Sequence, residues 1–139
     1  MSPVWPTVIR EITVDVAAPA GGVIRMPVAL RYDTSDPFAI HAVFRCGEGD
    51  EVTWVFGREL LTEGVSGPTG EGDVRIWPAQ SQGEEVLRVA LISPDGEAVL
   101  QTSTEAVIDF LSATYASCPW GTEAQLLDLD TALEQLLTS

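Results

Sequence analysis

From Val8 the chain alternates with a period of two. Ile12, Val14 and Val16 fall on one side and Glu11, Thr13 and Asp15 on the other, the pattern of a half-buried strand. A turn at Pro19-Ala20-Gly21-Gly22 leads to a second extended run, Val23 to Tyr32, in which Pro27 requires an edge position or a bulge because it has no N–H for a ladder. After the turn Asp33–Pro37, Phe38, Ile40, Ala42 and Phe44 form the apolar side of a third strand, and Val52 to Phe56 form a fourth after the loop 47–50. Alternation then stops. Arg58 to Glu63 are helix formers with Gly64 placed as a C-cap, and Ser66 to Gly72 read as a turn cluster.

Extended structure returns at Asp73–Trp77, stopped by Pro78. Glu84–Ser93 and Glu97–Thr102 form a hairpin around Pro94-Asp95-Gly96. At Ser103 the period changes to that of a helix. Ser103 or Thr104 caps it, Glu105 lies in its first turn, and Val107, Ile108, Leu111 and Tyr115 line one side. Pro119-Trp120-Gly121 breaks this helix, and a last one is expected from about Asp130, with Thr131 and Glu134 at capping-box spacing. Strands grouped together, with helices at the middle and end, predict an antiparallel α+β domain spanning residues 1–139 with a loose arm at 1–7. Grouping before and after Leu60 fits two sheets or two halves of a barrel.

Charge narrows the functions available. The chain has 139 residues with 21 Asp and Glu against 7 Arg and no Lys, a formal charge of −14. Nucleic acids and anionic membranes both attract cationic surfaces, so the chain as a whole repels them. Neither a membrane span nor a secretory signal is visible, and a cytoplasmic protein is expected. Cys46 and Cys118 lack metal-ligand spacing and read as free thiols.

Candidate chemistry is sparse. His41 is the one histidine, and no nucleophile motif or phosphate-binding loop accompanies it, so it reads as an outward-facing structural residue. Glu48, Asp50 and Glu51 lack the calcium-loop pattern and read as a solvated hairpin tip. No enzyme, metal or cofactor is expected. Apolar residues on both sides of some strands (Val55; Ala39 and Val43) leave a surplus face that calls for a partner. Pro119, Trp120 and Gly121 are the candidate partner-binding residues, because a turn between helices presents a large aromatic there.

Several stretches in register carry a family resemblance: Leu30 to Phe38, His41 to Phe44, Val52 to Gly64, Pro68 to Pro78, Ser93 to Ala98 and Pro119 to Glu123. Together they resemble the SsgA-like sporulation cell-division proteins of actinobacteria over roughly Pro27 to Leu137. The resemblance implies a Whirly-like fold of two antiparallel sheets with a short mid-chain helix and two C-terminal helices, assembled as a homotrimer. It also implies a non-enzymatic regulator at the division septum that selects septum sites and recruits FtsZ, with FtsZ and SsgA-like paralogues as partners. Trp120 departs from the family's Pro-Pro-Gly-Thr-Glu form. A single-stranded nucleic-acid-binding module is the alternative that the fold would allow.

Overall fold

The computed structural model describes residues 7–18, 20–45, 47, 49–124 and 136. Ten elements follow in order: β1 (Thr7–Ala17), β2 (Val23–Asp33), β3 (Ala39–Arg45), β4 (Glu51–Gly57), α1 (Arg58–Ser66), β5 (Thr69–Glu71), β6 (Val74–Ser81), β7 (Glu84–Ser93), β8 (Gly96–Ser103) and α2 (Thr104–Ser117). All pairings are antiparallel, in the order β4-β3-β2-β1-β8-β7-β6-β5. The expected two sheets are therefore one eight-stranded sheet. The ladder between its four-stranded halves is short, pairing Asp15 with Gln101 and Val16 with Leu100, which is why they are separable in the sequence pattern. The curved half-barrel encloses the core.

Both prolines in strands obey the edge requirement locally. Pro27 pairs with Thr13 of β1, but β3 reaches β2 only from Val28 to Arg31, so the other side of Pro27 is free of a ladder. Pro78 does not stop β6 as expected, since β5 pairs only with Val74–Ile76 and the strand runs on to Ser81 with one edge unoccupied. The turn cluster holds the short strand β5, too brief to produce a recognisable alternation.

The core contains Ile12, Val14, Val28, Leu30, Ile40 and Phe44 from one half and Ile76, Leu87, Leu91 and Leu100 from the other. Helix α2 seals it with Val107, Phe110, Leu111 and Thr114, so Ile108, expected on the apolar side, faces outward. The spacing 107, 110, 111, 114 is the i, i+3, i+4, i+7 stripe of one helix face, one position away from the stripe first read. Phe38 precedes β3 and is exposed, because the strand begins at Ala39. Ser103 caps α2 by accepting a hydrogen bond from the Ala106 N–H.

Helix α1 extends past Gly64 and ends at Ser66, with Gly67 as its C-cap. Gly64 has a different task. A Cβ there would run into Ile76 Cγ2 and lie 2.7 Å from Ile76 Cβ, so the missing side chain lets α1 settle against β6. The last helix expected from about Asp130, with its capping box, lies outside the described residues, as do Cys46 and most of the N-terminal arm. Cys118 is free and buried.

Candidate functional site

Among the described residues the most unusual side chain is Arg58, the first residue of α1. It is 1% exposed and is the buried charged residue among those described. A cation at a helix N-terminus opposes the helix's own dipole. Its partners explain the placement, because they belong to the opposite pole of another helix. Nη1 donates to the carbonyls of Thr114 (3.2 Å) and Cys118 (2.8 Å) at the end of α2, and Nη2 donates to Glu123 Oε1 at 2.6 Å. Helix α2 has no basic residue in its own last turn, so α1 supplies the charge that satisfies its terminal carbonyls.

Two aromatic faces cover the guanidinium. Its carbon lies 4.9 Å from the Tyr32 ring centroid and 4.0 Å from that of Tyr115. Each ring contributes a cation–π attraction that burial strengthens. Hydrogen bonds hold the rings in place: the Tyr32 hydroxyl donates to the Pro37 carbonyl (3.0 Å), and the Tyr115 and Thr62 hydroxyls share one 2.6 Å bond. Thr62 also donates to the Arg58 carbonyl, which closes the circuit within α1.

Titration behaviour follows from this enclosure. Burial pushes the Tyr32 hydroxyl well above its ordinary value, aided by the neighbouring Cys118 thiol and opposed by the Arg58 charge. Burial also disfavours ionised Glu123, but backbone N–H donors and the Arg58 guanidinium outweigh it and hold the carboxyl below its ordinary range.

The predicted partner-binding residues sit at the outer end of this stack. Trp120 is 61% exposed, and its ring tilts 46° against Tyr115 at a centroid distance of 6.4 Å. Pro119 is exposed, and its carbonyl accepts from the Thr122 N–H and hydroxyl. Gly121 has φ of +82°, the left-handed conformation that side chains resist, and reverses the chain so that Glu123 can reach Arg58. The three residues therefore share one turn, backed by Tyr115, Arg58 and Tyr32. Arg58 was the residue missed in sequence. The signal available was its position, a cation at the start of an acidic-rich helix.

His41 lies half-buried on β3, with Nε2 3.9 Å from Asp36 Oδ2. Val55 and Ile9 are exposed on the sheet's outer face in the same cross-strand row as His41, while Ala39 and Val43 are half-covered. Among the described residues, no group of His, Cys, Asp and Glu could hold a metal ion, and no helix is long and apolar enough to cross a membrane.

Half-barrel, two packed helices and a charge-centred aromatic stack define a class of small α+β scaffold in which the sheet's ends and turns carry the recognisable features. Residues 26–123 match the family described as Streptomyces sporulation and cell division protein, SsgA. The chain belongs to this SsgA family. It is 45% identical over 131 residues to the sporulation-specific cell division protein SsgB of Streptomyces coelicolor, covering 94% of this chain and 96% of that protein. It is 39% identical over 140 residues to the SsgB of Salinispora tropica, covering 99% of this chain and 98% of that one. The solved structure of an SsgA-like sporulation-specific cell division protein from Thermobifida fusca superposes with a TM-score of 0.89 at 36% identity, over 97% of this chain and 98% of that chain. A solved SsgB structure from Streptomyces coelicolor gives 0.86 at 44% identity, over 91% and 99%. These relatives are named for cell division during sporulation, and that is the process to which the chain is assigned.

Proposed function

We propose that this protein is a non-enzymatic regulator of sporulation-associated division that acts by docking, selecting septum sites and recruiting FtsZ or promoting its assembly. It works in the cytoplasm at the division septum, as a homotrimer, with FtsZ and SsgA-like paralogues as partners. The observation that carries this reading is Trp120, a large exposed aromatic held from behind by Tyr115 and the buried Arg58. A rigid aromatic beside an Arg–Tyr stack has the composition of a binding hot spot, where little side-chain freedom is lost on contact. Family membership supplies the process.

Cosedimentation with polymerising FtsZ, at several salt concentrations, tests the reading. Wild-type protein is expected in the FtsZ pellet and the Trp120→Ala variant is expected to be depleted from it. Absence of the wild type at every salt concentration refutes direct recruitment. Single-stranded nucleic-acid binding gains no support from a chain of 21 acids and 7 Arg. Sub-micromolar oligonucleotide binding at physiological salt would reverse that preference.

A further inference from the structure

The half-barrel has a seam. Its two terminal strands, β4 and β5, have no neighbour beyond them among the described residues, and both line one groove of about 980 Å³. Trp54 and Phe56 of β4 give it an apolar wall, Glu59 and Glu63 of α1 lie along it, and Glu71 and Asp73 border the other side. All four carboxylates belong to exposed residues, and none pairs with a cation among the described residues. Among the described residues lining the groove the one cation is Arg58, which is buried and already engaged by Glu123.

Among the described residues, nothing gives the β4 edge the usual protection. Edge strands avoid unwanted pairing through Lys, Pro, a bulge or a covering element. Strand β4 reads Glu-Val-Thr-Trp-Val-Phe-Gly, pairs with β3 without interruption from Glu51 to Gly57, and leaves Val52 and Val55 exposed. Such an edge offers a row of backbone donors and acceptors to an incoming strand.

We propose that this seam receives an extended, basic–apolar segment of a partner protein by strand addition along β4. Backbone pairing supplies the register, Trp54 and Phe56 receive apolar side chains, and Glu59, Glu63, Glu71 and Asp73 select Arg or Lys on the guest. Charge determines the occupant: a second copy of this chain, with its formal charge of −14, would bring further acids to an acidic groove, whereas a cationic strand is attracted to it. The inference rests on the docking function proposed above and specifies the chemistry of what docks.

The probe is a fluorescein-labelled octapeptide alternating Arg and Val, followed by fluorescence anisotropy with the full chain. Saturable binding that weakens with salt is expected. An alternating Glu and Val peptide, and the Arg–Val peptide methylated on alternate backbone nitrogens, are each expected to bind at least about tenfold more weakly. Val55→Lys, which protects the edge, and the pair Glu71→Lys with Asp73→Lys are expected to weaken the Arg–Val peptide by a similar factor. Their unchanged far-UV circular dichroism and urea midpoints would show intact folds. No binding of the Arg–Val peptide, equal binding of its methylated form, or full binding by both variants overturns the proposal. Loss of self-association in Val55→Lys without loss of peptide binding assigns the edge to a second copy and also overturns it. FtsZ cosedimentation separates the two readings. Peptide binding with no wild-type FtsZ pelleting leaves the seam and removes FtsZ recruitment; FtsZ pelleting with no peptide binding does the reverse.

Discussion

Replacing Arg58 by Met keeps the length and apolar stem of the side chain while deleting its charge and every donor. The guanidinium donates three hydrogen bonds, two to carbonyls at the end of α2 and one to Glu123. Each buried acceptor left without a donor costs about 1–3 kcal/mol. Loss of the two ring contacts adds roughly 0.5–2 kcal/mol each. Against these, the folded state no longer desolvates a guanidinium, and the Met sulfur regains roughly 0.3–1.5 kcal/mol against the tyrosines. The net expectation is a loss of about 3–5 kcal/mol, the usual result of removing one partner from a buried ion pair. For a domain stable by roughly 5–15 kcal/mol this is a large fraction. Equilibrium urea unfolding, followed by tryptophan fluorescence at two protein concentrations to separate folding from assembly, reads it directly. With an m-value of about 1.5 kcal/mol/M, the midpoint falls by roughly 2–3 M. Combining Arg58→Met with Glu123→Gln should cost less than the sum of the two alone, because they share one interaction. A midpoint shift below about 0.5 M, or strict additivity, would refute the assignment of Arg58 as the charge that joins α1, α2 and the 119–123 turn.

Other consequences follow from the same geometry. Gly64→Ala forces a Cβ into Ile76 and is expected to destabilise by about 1–3 kcal/mol despite alanine's better helix propensity, measurable as a lower thermal midpoint; an increase would show that α1 can move away from β6. Glu123 is held below its ordinary value of 4.5, so its ionised form stabilises the fold above the unfolded carboxylate range, and that contribution is lost as pH falls through the folded value. Urea titrations of wild type and Glu123→Gln should therefore converge as pH drops below about 4.5, and a gap that widens with acid would contradict the pairing. Trp120→Ala is expected to change stability by less than about 1 kcal/mol, since the ring is mostly solvent-facing, while reducing FtsZ pelleting; loss of folding instead would make Trp120 a structural plug.

Strands were legible because alternation reports burial on one face, and β1 and β3 carry it clearly in Ile12–Val14–Val16 and Ile40–Ala42–Phe44. What escaped was set by distant neighbours. Pro78 looked like a strand stop, but the brevity of β5 leaves its missing N–H beside an unoccupied edge. Gly64 looked like a cap, but its small size serves a contact with Ile76 twelve residues later in the chain. Ile108 reads as buried in the sequence pattern and Phe110 does not enter it, because a short amphipathic pattern tolerates a one-position rotation and only packing against the sheet decides it. The candidate turn at Pro119–Gly121 was visible from residue types alone. Arg58, which supports it from the interior, was not, because its partners Tyr32, Thr114, Tyr115, Cys118 and Glu123 come from separate parts of the chain.

The family resemblance was legible because its stretches keep their order and spacing along most of the chain, whereas the joining of the two sheet halves through Asp15–Gln101 and Val16–Leu100 is a tertiary event with no local signature.

Docking of this scaffold onto the division machinery is put to the test by pelleting FtsZ polymers with the wild-type protein and with Trp120→Ala side by side. Saturable copelleting of the wild type and a marked loss in the folded variant are expected. Wild-type protein that stays in the supernatant at every salt concentration, while FtsZ polymerises normally, would contradict it.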